Sequence, residues 1–539
     1  MTSEVFVHPE LGSLVGIRRA DDILQFRGIP YADIPARFRQ SILRLQLPQN
    51  PFDARHPGPV CPQTTTLPFP QYWSGSLPPD GVKLDEPKPD EFHCLNLNIT
   101  VPRVAITGDQ KVPVLFYIHG GGFMVGSSSA QISGREIWDA TNLVRRSLTI
   151  GKPVIVVSIN YRHGPLGFLA STELTEFNRK HGEAVGNYGL HDQRQALEWV
   201  SKFIAGFGGD ADNITIDGGS AGAVSCHFQS LFPNRKFKRA MLFSGTVLAL
   251  AAMPLDWHQR IFNSFVQKFS VSGSTVECLQ EVPANVLTHD VVGVWYTPFI
   301  DGEWIPGRTL ADLKTKNPPE LLVGSCSYEQ DLTLSILSPA LRMSPQDADK
   351  FMRTTIFSVL STLGLTTQPD CLLAPKILEL YNLSTSVDTP TQQFANWAEF
   401  VAEVVFRIPQ YHVALNHIGS KIYVYEFQST SPFPGWEAGY GKAGHAINEV
   451  LQYNSGGDLV EEKHQAELSG AVQELQDSIT NFCHGQLGWE PFNTDNQERL
   501  GPVYTFTNYG RGRKYERIGD IIGPDVLKRW MAVLAISEK

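Results

Sequence analysis

From Val112 to Ile118 the chain is apolar at nearly every position, and the run stops at three glycines, Gly120, Gly121 and Gly122. A strand covered on both faces has this pattern, because neither side of it meets water. Residues 153–159 repeat it. From Asp192 the period changes: Ala196, Leu197, Val200, Phe203 and Ile204 recur at helical spacing, which predicts an amphipathic helix stopped near Gly206. Residues 213–217 return to strand character and run directly into Gly218-Gly219-Ser220-Ala221-Gly222. Residues 239–243, 320–323 and 422–427 are further strand candidates. Strands and helices alternating in this way predict an α/β protein, with a large, mostly parallel twisted sheet flanked by helices.

The segments between these elements differ in character. Residues 247–297 and 335–406 read as mostly helical insertions. Residues 46–90, rich in Pro and without clear periodicity, read as a long ordered surface loop. Val526, Leu527, Trp530, Met531 and Leu534 form an apolar stripe on a C-terminal helix, the pattern of core packing. No repeat or low-complexity linker divides the 539 residues, although that length would allow several domains.

Composition narrows the function classes. With 42% hydrophobic and 19% charged residues the chain is an ordinary globular protein, neither disordered nor fibrous. A formal net charge of -10 with no basic stripe argues against a nucleic-acid partner. No apolar stretch approaches the roughly 18 residues of a membrane-spanning helix, so no integral membrane segment is expected. The opening residues Met1 to Phe6 carry neither the basic nor the apolar region of an export signal, which makes a cytoplasmic location the expectation. Seven cysteines, an odd number, do not suggest a disulfide scaffold. In that compartment the sequons at Asn98, Asn213 and Asn382 are chance tripeptides.

The chemistry begins at Ser220. Gly-x-Ser-x-Gly between a strand and a helix is the pattern of a nucleophile elbow, a sharp turn that lifts the serine hydroxyl above the sheet edge. Glycine is needed two residues to either side, where a side chain would press on the neighbouring strand and helix. The same turn puts the Ala221 N–H at a helix N-terminus, where an oxyanion is favoured. His119-Gly120-Gly121-Gly122-Phe123 offers a second set of backbone donors after a strand, as an oxyanion loop does. A phosphate-binding reading of these glycines fails, since no Gly-Lys-Ser/Thr follows and the dinucleotide spacing is absent.

These motifs, with others along nearly the whole length, resemble the type-B carboxylesterase family, which includes the cholinesterases and fungal lipases. The resemblance is carried by Phe26 to Ala32, by Cys94-Leu95-Asn96-Leu97-Asn98, by Asn160-Tyr161-Arg162 with Gly167-Phe168-Leu169, and by Gly186 to Gln193 running through Trp199 and Phe207 to Asp210. It is closest in character to a fungal-type intracellular member. It implies one α/β-hydrolase domain over residues 1–539, with helical and loop insertions forming a cap. It further implies a Ser220, Glu329, His445 triad in the chain order Ser, acid, His that this fold uses. Gly121, Gly122 and Ala221 become the oxyanion donors, and Ser244 a residue orienting acid and base.

The resemblance also pairs Cys61 with Cys94, a disulfide disfavoured in a reducing cytosol. Cys278 matches half of a second family disulfide whose partner is missing. Three positions depart from the pattern: Gln330 replaces a glycine, Asn448 an acidic residue, and Gly219 the glutamate before the nucleophile. Losing the last charge disfavours cationic substrates by Coulomb's law, and so disfavours a cholinesterase role.

The expected activity is hydrolysis of a neutral, apolar carboxylic ester through an acyl-enzyme, without metal or organic cofactor. Acyl transfer or elimination on the same triad, and a non-catalytic adhesion protein of the same fold, are the alternatives. Leu67, Phe69, Tyr72 and Trp73 are candidates for a flap, and Val292, Val294 and Phe299 for an acyl pocket. Sequence leaves the oligomeric state open.

Overall fold

The computed structural model describes residues 2–64, 87–132, 134–232, 234–269, 275–289, 296–332, 377, 379–383, 390–433, 440–493 and 501–537. Twelve strands form one continuous path: β1 (Thr2–His8), β2 (Gly12–Arg18), β3 (Ile23–Pro30), β4 (Asn96–Pro102), β5 (Val112–Ile118), β6 (Ile155–Ile159), β7 (Gly209–Gly219), β8 (Arg239–Phe243), β9 (Glu320–Cys326), β10 (Ile422–Phe427), β11 (Val503–Phe506) and β12 (Arg513–Tyr515). Their order in the sheet is β1-β2-β3-β4-β6-β5-β7-β8-β9-β10-β11-β12, with the short strand Phe52–Asp53 joining β2 off this path.

Every pairing from β6 across to β11 is parallel. The β1 to β4 end and the β12 edge are antiparallel. The chain leaves β5 to one side for β6 and then returns to β5's other side for β7. The carboxyl ends of β5 and β7, which carry the glycine cluster and Ser220, therefore lie side by side at the point where strand order reverses. Open α/β sheets bind ligands at such a point.

Burial explains the continuous apolar runs. Along β5, Val114, Phe116 and Ile118 join one core cluster, and Leu115 and Tyr117 join a second. The alternation is that of side chains pointing to opposite faces, each covered by helices. Burying one such side chain contributes about 1.5 to 3 kcal/mol, so the two cores fix the register on which the site depends.

The strands at 239–243 and 422–427 stand as read. The strand predicted over 213–217 extends to Gly209–Gly219, and that over 320–323 runs on to Cys326. The predicted helix starts a turn earlier, at Tyr188–Phe203, because Asn187 adopts a left-handed conformation there (φ 49°). The 247–297 insertion contains helices Leu255–Lys268, Thr275–Glu281 and Ala284–His289. The expected loop over 46–90 is not all loop, since Phe52–Asp53 pairs with β2. On the C-terminal helix Pro524–Ser537, Trp530 and Leu534 are buried but Met531 is exposed, so the packed stripe is narrower than read.

Residues 65–86, 290–295 and most of 335–389 lie outside the described residues, and with them Leu67, Phe69, Tyr72, Trp73, Val292 and Val294. Among the described residues no helix is long and apolar enough to cross a membrane.

Candidate active site

β7 ends at Gly219, and Ser220 opens the helix Ala221–Ser230 with φ 53° and ψ -126°. A non-glycine residue holds such angles only when its surroundings impose them. Here the Ser220 N–H donates to the Phe243 carbonyl at 2.8 Å, tying the turn to β8. A Cβ at Gly218 would stand 2.6 Å from the Ile118 carbonyl oxygen, and one at Gly222 only 2.1 Å from it. Both contacts are with backbone, so the turn closes this tightly only with glycine at each position.

The glycine loop after β5 lies against the same turn. A Cβ at Gly120 would fall 2.7 Å from the Gly219 carbonyl oxygen and 3.2 Å from the Ser220 Cβ. Gly121 has φ 112°, and its carbonyl accepts from the amides of Met124 and Val125, which bends the loop. Bare backbone at Gly120 thus borders the serine, with Gly121 and Gly122 following it in the same loop. Ala221 occupies the first turn of the following helix, where N–H groups have no partner within the helix.

Glu329 and His445 arrive from the ends of β9 and β10. The loops carrying them are joined by a backbone bond from the Tyr328 N–H to Ala443 O, 3.0 Å. The His445 Nδ1–H donates to Glu329 Oε2 at 2.5 Å. Glu329 Oε1 accepts from Ser244 Oγ at 2.6 Å and from the Cys326 amide at 2.8 Å. The acid therefore has both oxygens engaged and is fully buried. The opposite ring nitrogen, His445 Nε2, is also buried, and it has no hydrogen-bond partner among the described residues. Burial alone would lower the imidazole pKa; the Glu329 carboxylate, aided by Asp331 and Glu449, outweighs it and the net shift is upward. Phe406, in the π-helical turn Ala402–Arg407, packs its ring 4.6 Å from the His445 ring.

Sequence reasoning missed three buried carboxylates here. Asp331 accepts the His445 backbone N–H with both oxygens at 3.0 Å, and burial raises its pKa to about 6. Glu449 lies directly against Gly219, so the charge thought lost with the missing glutamate is supplied from elsewhere in the chain. Asp217, in β7, accepts from Gln452 Nε2 at 2.5 Å. The only available signals were an acid two positions beyond Glu329 and another one position beyond Asn448.

Burial pushes Asp217 up to about 8, against an ordinary value of 3.8. Between those two pH values the folded chain holds a proton that the unfolded chain gives up, so this residue's contribution to stability falls as pH rises through the window. Asp217→Asn is accordingly expected to raise the thermal midpoint at pH 8.5 and to leave it nearly unchanged at pH 4. Calorimetry at both values checks this.

A separate cleft of about 900 Å³ is lined by Arg18, Arg19, Arg27, Arg55, Arg135 and Arg145. Each of these arginines is paired with an aspartate or glutamate, so the cleft holds no uncompensated positive charge from them.

Comparison with known proteins bears on the family and the fold. The profile of the carboxylesterase family matches residues 3–500. Human bile salt-activated lipase is 27% identical over 92% of this chain and 66% of its own length. Lipase 2 of Geotrichum candidum is 34% identical over 71% of this chain and 73% of its own. In fold, juvenile hormone esterase from Manduca sexta superposes with a TM-score of 0.78 over 100% of both chains at 23% identity.

The expectation of a cytoplasmic, intracellular protein is overturned. A secreted triacylglycerol lipase of Gibberella zeae is 31% identical over 60% of this chain and 56% of its own, and a secreted lipase of Botryotinia fuckeliana 31% identical over 65% and 64%. Both names describe secreted proteins, whereas the expectation rested on the first few residues alone. The argument against a Cys61–Cys94 disulfide rested on the cytosol and falls with it. In the structure these two are buried thiols, Cys61 Sγ donating to Pro62 O and Cys94 Sγ to Glu91 O, each at 3.5 Å. The family profile, the relatives and the sheet agree: the chain belongs to the carboxylesterase family and has the α/β-hydrolase fold.

Proposed function

We propose that the chain is a serine carboxylic ester hydrolase, with Ser220 as nucleophile, His445 as base and Glu329 as the acid that orients it. One observation carries this reading. An imidazole is held by a carboxylate through Nδ1 while Nε2, buried and without a hydrogen-bond partner among the described residues, is left to take a proton. In the first step Ser220 Oγ attacks the ester carbonyl and its proton passes to His445 Nε2. Glu329 stabilises the imidazolium, and the N–H groups of Gly121, Gly122 and Ala221 receive the oxyanion, each donor contributing about 2.7 to 4 kcal/mol in the transition state. The imidazolium then protonates the departing alcohol, and a water activated by the same base releases the acid.

The substrate we infer is a neutral, apolar ester, in keeping with lipases among the relatives. We also infer that residues 1–539 act as one α/β-hydrolase domain.

The test is release of p-nitrophenol from acetate, butyrate and octanoate esters, beside Ser220→Ala and a fluorophosphonate adduct mapped by mass spectrometry. Turnover lost in the variant, with the label on Ser220, is expected; a label elsewhere would remove the assignment. His445 must be neutral to accept the proton, so kcat/KM should rise with pH through a limb set by its raised pKa, above 6.5. A limb at or below 6.5 in the wild type would contradict the carboxylate environment described.

A further inference from the structure

Against the nucleophile's turn lies a carboxylate that this reaction does not use. Glu449 stands four residues after His445, in the helix Ile447–Tyr453, and is 2% exposed. Tyr117 Oη donates to its Oε1 at 2.9 Å, and the nearby Gly219 backbone favours its charged form. A Cβ built on Gly219 would lie 1.9 Å from Glu449 Oε2 and 2.0 Å from Cδ. The bare backbone at 219 and the carboxylate beside it are therefore a single arrangement, since neither leaves room for a side chain at 219. Glu449 thus begins on the loop that carries the base and ends on the residue that precedes the nucleophile.

We propose that Glu449 is a positioning residue: it holds the Gly219–Ser220 turn in register with the His445 loop, and its charge stabilises the imidazolium formed when His445 takes the Ser220 proton. The proposal rests on the serine reading above. The groups in electrostatic range of Glu449 are Tyr117 on β5, Tyr161 beyond β6, Asp217 on β7, Cys226 on the helix after the elbow, Tyr453 on its own helix, and Glu329 and His445. Of these only His445 becomes cationic. Asp217 keeps its proton to about 8, and so adds little negative charge at neutral pH. Burial, opposed by the Tyr117 bond and the His445 charge, places Glu449 itself at about 7, so its charge develops through neutral pH and is mostly present at mildly alkaline pH.

Glu449→Gln keeps the shape and removes the charge. We expect a folded enzyme, judged by its thermal midpoint, that is still labelled by fluorophosphonate at Ser220. Its kcat per labelled site should fall about tenfold with KM little changed. The acid limb of kcat/KM should move down by about half a pH unit or more, because the imidazolium has lost a nearby opposite charge. A purely structural residue would not move that limb.

A second readout uses the steric exclusion. Gly219→Ala should cost at least about tenfold in kcat when Glu449 is present, and far less in a Glu449→Ala background, where the volume is vacant. A labelled wild type together with a Glu449→Gln variant of unchanged kcat and acid limb would overturn this proposal alone, as would additive effects of Gly219→Ala and Glu449→Ala. A wild type that fluorophosphonate does not label at Ser220 would overturn the serine reading, and this proposal with it.

Discussion

His445→Gln is expected to lower kcat for p-nitrophenyl butyrate by about five orders of magnitude or more, the scale on which removing a triad base acts. Glutamine is chosen over alanine for a reason visible in the site. Glu329 is fully buried, and the His445 N–H is one of its three donors. Alanine would leave that oxygen short of a donor inside the protein and unsettle the fold as well as the chemistry. A glutamine amide can still donate to Glu329, but it cannot accept and return a proton. Its thermal midpoint should therefore stay near wild type while turnover collapses. Both rate and midpoint are to be measured on the same preparation, because a large loss of stability would remove the inference about chemistry.

Gly222→Ala is the second large effect, and its route is mechanical. The new Cβ would stand 2.1 Å from the Ile118 carbonyl oxygen, a backbone atom at the end of a strand buried on both faces. Neither partner can rotate out of the way, so either the elbow opens or the end of β5 moves, carrying His119 to Gly122 with it. Each displaces the proposed donors from where the oxyanion forms, and losing one such donor costs two to three orders of magnitude in kcat. We expect at least about a hundredfold loss and a lower thermal midpoint, read by active-site titration and calorimetry. Near-normal turnover per titrated site would show that the elbow tolerates what its geometry forbids.

The parts of this molecule legible in sequence are those whose pattern is local. The β5 run, the strand at 239–243 and the elbow glycines announce themselves because burial on two faces and close backbone approach restrict residue type position by position. Glu329 and His445 were found through family resemblance, since a glutamate or histidine in a loop has no local mark. Glu449 and Asp331 escaped because a buried carboxylate is defined by what surrounds it. Tyr117 and Gly219 are brought to Glu449 by the sheet, and nothing within a few residues of position 449 names them. Reading Gly219 as a lost charge was correct for the position and wrong for the site. Location was missed for a similar reason: it was judged from the first residues alone.

The proposed nucleophile, acid and base hang from the ends of three different strands, β7, β9 and β10, each separated from the next in sequence by a long insertion. None of them can be brought into place by a local hairpin or helix. In folding terms the site consists of high-contact-order pairings, which form only after long loops have closed. During refolding from denaturant, helical signal and burial of tryptophan should therefore return before esterase activity does, and a protease nick in a connecting insertion should silence the enzyme while most of the sheet remains intact.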